Sequence, residues 1–344
     1  MSRIDSLREQ LDEPFLVTNL VNVRYLTEFE SSNVALLVEQ DRVRLFTDFR
    51  YVSAARDVQG VEAFEISRNL LAGLAGELSG TVGFESASIT HAGYETLAEG
   101  GLELVPRKGV VEVLRAVKDE RELDRIRKAA TIADRVYERL TEERFVGRTE
   151  RDLVWRVHEL LHEEGADTAG FDPIVAAGPT GAIPHAHPGD RVIGSGETIV
   201  VDLGAQLDGY TSDCTRTFAT GELPERLRDA YEVCRQAQAA GLEAVRPGVT
   251  GRDADDAARR VIEASPFAGA FGHGLGHGVG MQVHEAPTLR PESEDVLEAG
   301  NVVTVEPGIY LEGEGGIRIE DLVIVTGDGC DILSRFTKDL VTVN

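Results

Sequence analysis

Two acids set inside apolar strands constrain this 344-residue chain more than any other feature. In TIVVDLGAQLDGYTSDCTRTF, from Thr198 to Phe218, two apolar or β-branched runs flank a Leu-Asp-Gly turn at Leu207, Asp208 and Gly209. The pattern predicts a β-hairpin. Each arm carries an acid where a core-facing strand should carry none. Asp202 follows Ile199, Val200 and Val201, and Asp213 lies between Thr211 and Thr217. Side chains alternate along a strand, so the pairing register decides whether the acids meet. A two-residue loop at Leu207-Asp208 sets Asp202 directly opposite Asp213. A loop at Asp208-Gly209, the better turn chemistry, makes them diagonal neighbours on one face. Either register brings two carboxylates together, and unpaired they would repel and be costly to desolvate unless one stays protonated or a cation lies between them. A cation is the reading adopted.

Further acids and imidazoles stand in similar settings. In FGHGLGHGVG, Phe271 to Gly280, glycine alternates at every second position, which does not satisfy the dinucleotide pattern GxGxxG. Read as extended chain, all the glycines share one face, free for close backbone approach, while His273, Leu275 and His277 occupy the other. His284 follows shortly after. The apolar strand Asn301 to Val305 ends on Glu306, and Glu320 lies on the return strand beyond a glycine-rich turn at 312–316. Singly, Asp202, Asp213, His277, Glu306 and Glu320 each have an ordinary explanation as turn acid, strand end or core histidine. Together they make a hard, oxygen-rich donor set. Four anions exceed what one divalent ion needs and suit two ions about 3.5–4 Å apart. Oxygen with one nitrogen favours Mn2+, Co2+, Fe2+ or Zn2+ over a thiolate site.

Composition excludes other classes. With 35 basic and 60 acidic residues the net charge is −25, and lysine occurs only at 108, 118, 128 and 338. That balance disfavours nucleic acid and anionic membranes as partners. The acids are spread along the chain rather than gathered in a tail, as on a surface adapted to high salt. No apolar run approaches a membrane span, and Cys214, Cys234 and Cys330 form neither a disulfide framework nor a cysteine zinc site. A cytoplasmic location is expected.

Two domains are expected. Residues 1–115 read as a small α/β domain with strands near 15–17, 35–38, 42–46 and 81–85 and helices over 48–57, 67–78 and 90–99. The domain holds no catalytic cluster, although Tyr25 and Arg50 are candidates for reaching one. Residues 116–344 form the second domain, with 105–109 as the joining segment. Helical periodicity extends from Val113 to Arg144, and further helices are expected over 149–164, 224–244 and 251–263, with 171–181 as loop. Helices followed by a two-acid hairpin over 120–220 parallel the layout of 225–325, which implies two pseudo-symmetric halves across a cleft. The second helix contains His158-Glu159-Leu160-Leu161-His162, a match to the HExxH zinc pattern. Its apolar stripe is Leu153, Val154, Val157, Leu160 and Leu161, which leaves both histidines off the core. It is read as a decoy.

The motifs IPHAHPGDR, VDLGAQLDGYTSDCTRTF, GHGLGHGVGMQVHEAP, VEPGIY and GIRIED, between residues 171 and 325, resemble the creatinase/aminopeptidase ("pita-bread") family of dinuclear metallopeptidases, nearest its Xaa-Pro dipeptidases (prolidases) and Xaa-Pro aminopeptidases. NVRYLTEFESSN and FTDFRY resemble that family's amino domain. The resemblance implies an α+β chain. A creatinase-like domain over 1–115 would precede a pita-bread catalytic domain over 116–344, with pseudo-two-fold halves and a curved antiparallel sheet. It implies two divalent ions, Mn2+ or Co2+ first and Zn2+ or Fe2+ next. Asp202 would be terminal on one ion and His277 with Glu306 on the other. Asp213 and Glu320 would bridge, with a nucleophilic hydroxide between the ions. His185, His273 and His284 match substrate-binding and proton-relay histidines, Arg318 matches an arginine beside the last ligand, and His187 matches nothing. The substrate implied is a peptide with proline at the second position, and the assembly a homodimer. Presence of all five ligands argues against the metal-free creatinases and the catalytically silent binding relatives. A hydrolase of another small amide, of the ectoine-derivative type, is the alternative on the same scaffold, and a catalytically silent binding module is the alternative from a different class. One departure stands out: prolidases usually carry arginine just after HE-x-P, where this chain has Thr288, with Arg290 the nearest arginine.

The decoy has a direct check. His162→Ala is expected to leave metal-dependent peptidase activity intact, whereas His277→Ala abolishes it.

Overall fold

The computed structural model describes residues 2–344, which form two compact units, 2–115 and 116–344. The amino-terminal unit is built on one mixed six-stranded sheet. Across the sheet the order is Glu62–Glu65, Val43–Thr47, Val34–Val38, Phe15–Val17, Gly80–Glu85 and Leu102–Arg107. Its central strands are buried along their length, as their unbroken Val/Leu/Phe runs require. Sequence periodicity locates four of the six. The outer two, EAFE and LELVPR, are half-polar edge strands that carry little apolar signal. The segment read as the join therefore begins inside the last strand. Both candidates for reaching a distant site are engaged within this unit: Tyr25 donates to the Leu114 carbonyl at 3.1 Å, and Arg50 binds Asp48 through Nε and Nη2 at 2.8–2.9 Å.

The helix expected from 113 to 144 is two helices, Val110–Ala116 and Glu120–Leu140. Asp119 ends the continuity. Its carboxylate accepts the Arg121 and Glu122 amides at 2.9 Å, and Glu122 returns to the Asp119 amide. This capping box starts a new helix inside an unbroken charged pattern.

In the second unit every strand pair is antiparallel. Two helices, Glu120–Leu140 and Glu150–Glu163, precede a sheet ordered Cys214–Ala219, Thr198–Leu203, Ile174–Ala177. Two more, Glu225–Ala244 and Gly251–Glu263, precede a five-stranded sheet ordered Glu285–Leu289, Gly276–Gly278, Val302–Val305, Asp321–Val325, Cys330–Ile332. Helix pair followed by antiparallel sheet thus occurs twice, the pseudo-symmetric layout expected. Ile174–Ala177, read as loop, is the outer strand of the first sheet; its Ala-rich run after Pro173 lacks β-branched alternation. Among the described residues no helix is long and apolar enough to cross a membrane.

Local chemistry fixes the register. Gln206 pairs with Thr211 and Leu207 with Tyr210, so the hairpin loop is Asp208-Gly209, both at positive φ (49° and 79°). A turn with two left-handed residues matches strand twist and favours Asp-Gly. Gly276 and Gly278 bear out the glycine face: a Cβ there would lie 2.0 Å from the Thr304 carbonyl oxygen and 2.2 Å from that of Ala286. The register breaks between His277 and Gly278, opposite an outer strand that contains Pro287. The Thr288 amide on that strand donates to Asp295 at 2.8 Å.

A buried ion pair anchors the carboxy-terminal segment beneath the first sheet. Arg216 donates through Nη2 to Asp321 at 2.9 Å and to the Phe336 carbonyl at 2.7 Å, and through Nη1 to the carbonyl of Glu320. Gln238 and Lys338 hold the other Asp321 oxygen. Removing one partner of such a pair strands a buried charge. Arg216→Met is expected to lower unfolding free energy by about 3–5 kcal/mol in chemical denaturation.

Candidate metal centre

Strand pairing sets Thr215 opposite Asp202, so Asp213 is the diagonal neighbour of Asp202 on one face. Glu320 comes from the other half. It sits between Gly315–Arg318 and Asp321–Val325, its amide donating to the Thr215 carbonyl at 3.1 Å. Ligand oxygens of Asp202, Asp213 and Glu320 all lie within 4.8 Å of one another. His277 Nε2 extends the group, 3.7 Å from Asp213 Oδ2 and 3.2 Å from Glu306 Oε1. Thr304 keeps the last two in place: its hydroxyl accepts the His277 amide at 3.0 Å and donates to Glu306 Oε1 at 3.1 Å. The five side chains picked out in the sequence form one continuous cluster, with Asp213 common to both parts.

Electrostatics here is one-sided. Burial, reinforced by neighbouring acids, raises Asp213 and Glu320 well above the usual carboxylate range. Asp202 is raised by burial despite the opposing charge of Arg318. Burial would also raise Glu306, but the hydrogen bond and charge of His277 outweigh it and hold Glu306 at about 2. Burial would lower His277, and Glu306 outweighs that in turn, so the imidazole is raised. Among the described residues Arg318 is the guanidinium bonded to the cluster's carboxylates, donating through Nη2 to Asp202 Oδ2 at 2.5 Å. Asp202 Oδ1 and Glu320 Oε1 are buried with no hydrogen-bond partner among the described residues. Buried carboxylate oxygens without donors are the mark of a cation site. Oxygen donors with one imidazole suit one or two divalent ions of the Mn2+ to Zn2+ series. Cys214 is no competitor: its sulfur points to the Glu320 carbonyl at 3.4 Å, and burial pushes its thiol up.

The cluster lies in a cavity of about 810 Å³ that His185, His273, His284 and Arg318 also line. His273 differs from the other two histidines. Its Nδ1 lies 2.8 Å from the Gly274 carbonyl, which can only accept, so the proton is on Nδ1. Nε2 then accepts from the Tyr310 hydroxyl at 2.8 Å, whose oxygen accepts from Arg318 Nη1 at 3.1 Å. Both ring nitrogens are used inside the protein. Burial lowers His273 and His284, and His284 packs edge-on against His277 at 4.3 Å between ring centroids. Neither His185 nor His284 has a hydrogen-bond partner among the described residues. His187, set aside as matching nothing, also lines the cavity. The HExxH pair does not approach the cluster: His162 is exposed, and the ring of His158 lies 5.8 Å from that of Trp155.

Sequence reasoning assigned no role to Thr215 or Tyr310. Alternation could have found the first, since Asp213, Thr215 and Thr217 share a face at period two. Tyr310 carries no such signal, because its partners arrive from elsewhere, His273 from the loop before Gly276–Gly278 and Arg318 from another strand.

Comparison with known proteins follows the same division of the chain. A family model described as metallopeptidase family M24 matches residues 124–327, and one described as the creatinase/prolidase N-terminal domain matches 3–117. An uncharacterized peptidase of Bacillus subtilis, YqhT, is 37% identical over 333 residues, 95% of this chain and 94% of its own. Among solved structures, an Xaa-Pro dipeptidase from Bacillus anthracis superposes with a TM-score of 0.95 at 35% identity, covering 99% of each chain. An X-Pro aminopeptidase from Thermotoga maritima does so at 0.89 and 30% identity, covering 98% of this chain and 99% of its own.

Raised acids hold protons that a cation must displace. Titration of Mn2+ into the chelator-treated protein is therefore expected to release protons, with affinity increasing as pH rises. Calorimetry in buffers of different ionisation enthalpy checks this; a heat independent of buffer would contradict it.

Proposed function

The chain belongs to metallopeptidase family M24, with a creatinase/prolidase amino-terminal domain ahead of its pita-bread unit, and on that premise we propose that it hydrolyses the Xaa-Pro bond of short peptides. The observation that carries this reading is the buried group of four acids and His277, two of whose oxygens have no hydrogen-bond donor among the described residues. In this reading residues 116–344 are the catalytic unit. Asp202 would hold one divalent ion, His277 and Glu306 a second, and Asp213 and Glu320 both, with Mn2+ or Co2+ preferred. Ions bound there supply Lewis acidity toward a carbonyl and lower the pKa of a water molecule.

The remaining work falls to the chain's own side chains. An Xaa-Pro amide has no N–H, so the scissile bond can be recognised only through its carbonyl and the shape of the ring. Phe171, Ile174, Pro184 and Val283 give the cavity apolar surface for that ring. His185 and His284 have ring nitrogens to offer. Kept neutral by burial and by the adjacent His277, His284 has one ring N–H to donate to the substrate carbonyl and one ring nitrogen free to take up the proton released by the attacking water and hand it to the departing proline nitrogen. His273, its nitrogens already bonded, acts by holding Tyr310 and through it Arg318.

Substrate length turns on one place. The Thr288 hydroxyl lies 3.0 Å from Asp295 Oδ2 and from Ser293 Oγ, so it is taken up within its own loop. Arg290 lines the cavity and has no ion-pair partner among the described residues. A guanidinium there suits the free carboxylate of a dipeptide.

Turnover of Xaa-Pro dipeptides, Xaa-Pro-Yaa peptides and ectoine-type amides with Mn2+, before and after chelation, tests the proposal. Chelator-sensitive cleavage at proline is expected, with dipeptides preferred and that preference reduced in Arg290→Ala. Cleavage of the small amide alone, or of nothing, would sink it.

A further inference from the structure

Thr215 adjoins the two acids that each keep a buried oxygen without a hydrogen-bond partner among the described residues. It is fully buried, pairs with Asp202 across the sheet, and accepts the Glu320 amide on its carbonyl. Its hydroxyl has one hydrogen to give and lone pairs to receive. Arg318 Nε, which can only donate, lies 3.0 Å from Thr215 Oγ1, and Glu320 Oε2 lies 2.7 Å away. With Glu320 in the carboxylate form that a cation requires, the polarity is fixed: Arg318 donates to Thr215, and Thr215 donates to Glu320.

The result is one guanidinium engaging one oxygen of each acid, Asp202 Oδ2 directly and Glu320 Oε2 through the threonine hydroxyl. The opposite oxygens, Asp202 Oδ1 and Glu320 Oε1, have no donor among the described residues. Valine would fill the same space and do neither job. It would leave Nε of Arg318 buried without an acceptor and let Glu320 rotate. Groups that orient metal-binding side chains from behind tune affinity by about 10–100-fold.

We propose that Thr215 is a positioning residue for the metal centre: its hydroxyl transmits the orientation of Arg318 to Glu320 and so decides which Glu320 oxygen is presented to a cation. The proposal rests on reading the cluster as a metal site, but not on the identity of the substrate.

The test is calorimetric titration of Mn2+ into chelator-treated full-length protein, with no peptide present. Thr215→Val is expected to weaken binding by about 10–100-fold, and Thr215→Ser to recover most of the loss. Thr217→Val removes a buried hydroxyl from the same face, one bonded to the Arg318 backbone rather than to Glu320. It is expected to weaken Mn2+ binding far less. Wild-type affinity in Thr215→Val, or an equal loss in Thr217→Val, overturns the proposal. Should Thr215→Val fail to fold, Thr215→Ser and Thr215→Ala, close in volume and differing in the hydroxyl, make the same comparison, and equal affinities in that pair overturn it as well. A wild type that binds no Mn2+ overturns this proposal together with the metal reading, whereas absence of turnover with intact Mn2+ binding leaves it standing.

Discussion

Four carboxylates gathered out of water, with one guanidinium and one imidazole bonded to them, is the constraint around which the second unit is built. Such a group is unstable in isolation: each acid raises the cost of ionising the next. What keeps it assembled is that none of the four rests on its own flexible segment. Asp202 lies in a paired strand and Asp213 just before one. Glu306 and Glu320 each bond through the backbone amide to a carbonyl on another segment, Leu275 and Thr215. The backbone holds the charges where their mutual repulsion would otherwise scatter them.

Close approach of strands makes this possible. With glycine at 276 and 278, the strand that bears His277 lies against two neighbouring backbones at distances no side chain would permit. Behind the acids, Arg318 and Arg216 divide the work. Arg318 faces the cavity and binds side chains, while Arg216 faces the core and binds Asp321 and the carbonyls of residues 320 and 336. Glu320 is thus steadied by one arginine at its backbone and by the other, through Thr215, at its carboxylate.

Much of this was legible in the chain because the informative features are local and periodic. Acids ending apolar runs, glycines at every second position and an Asp-Gly turn each carry their structural meaning within a few residues. Of the two hairpin registers left open by the sequence, the structure adopts the one with the better turn chemistry, which sets Asp202 and Asp213 diagonally. What was missed needed either a signal that periodicity overrides or a partner far along the chain. The capping box at Asp119 interrupts a helix whose charge pattern runs straight through it. The polar edge strands of the first unit are defined by their neighbours and not by their own composition. Thr215 and Tyr310 become meaningful only when strands from residues 214 to 318 converge on Arg318.

The outer strand beside His277 has one more consequence. A glycine-rich sheet with a bare margin would be an open template for another polypeptide to join. Here Pro287 has no amide to offer, the pairing breaks between His277 and Gly278, and the Thr288 amide is capped by Asp295. The same irregularity that shapes the cavity wall therefore denies neighbouring molecules a place to add a strand, and guards the protein against edge-to-edge aggregation along that margin.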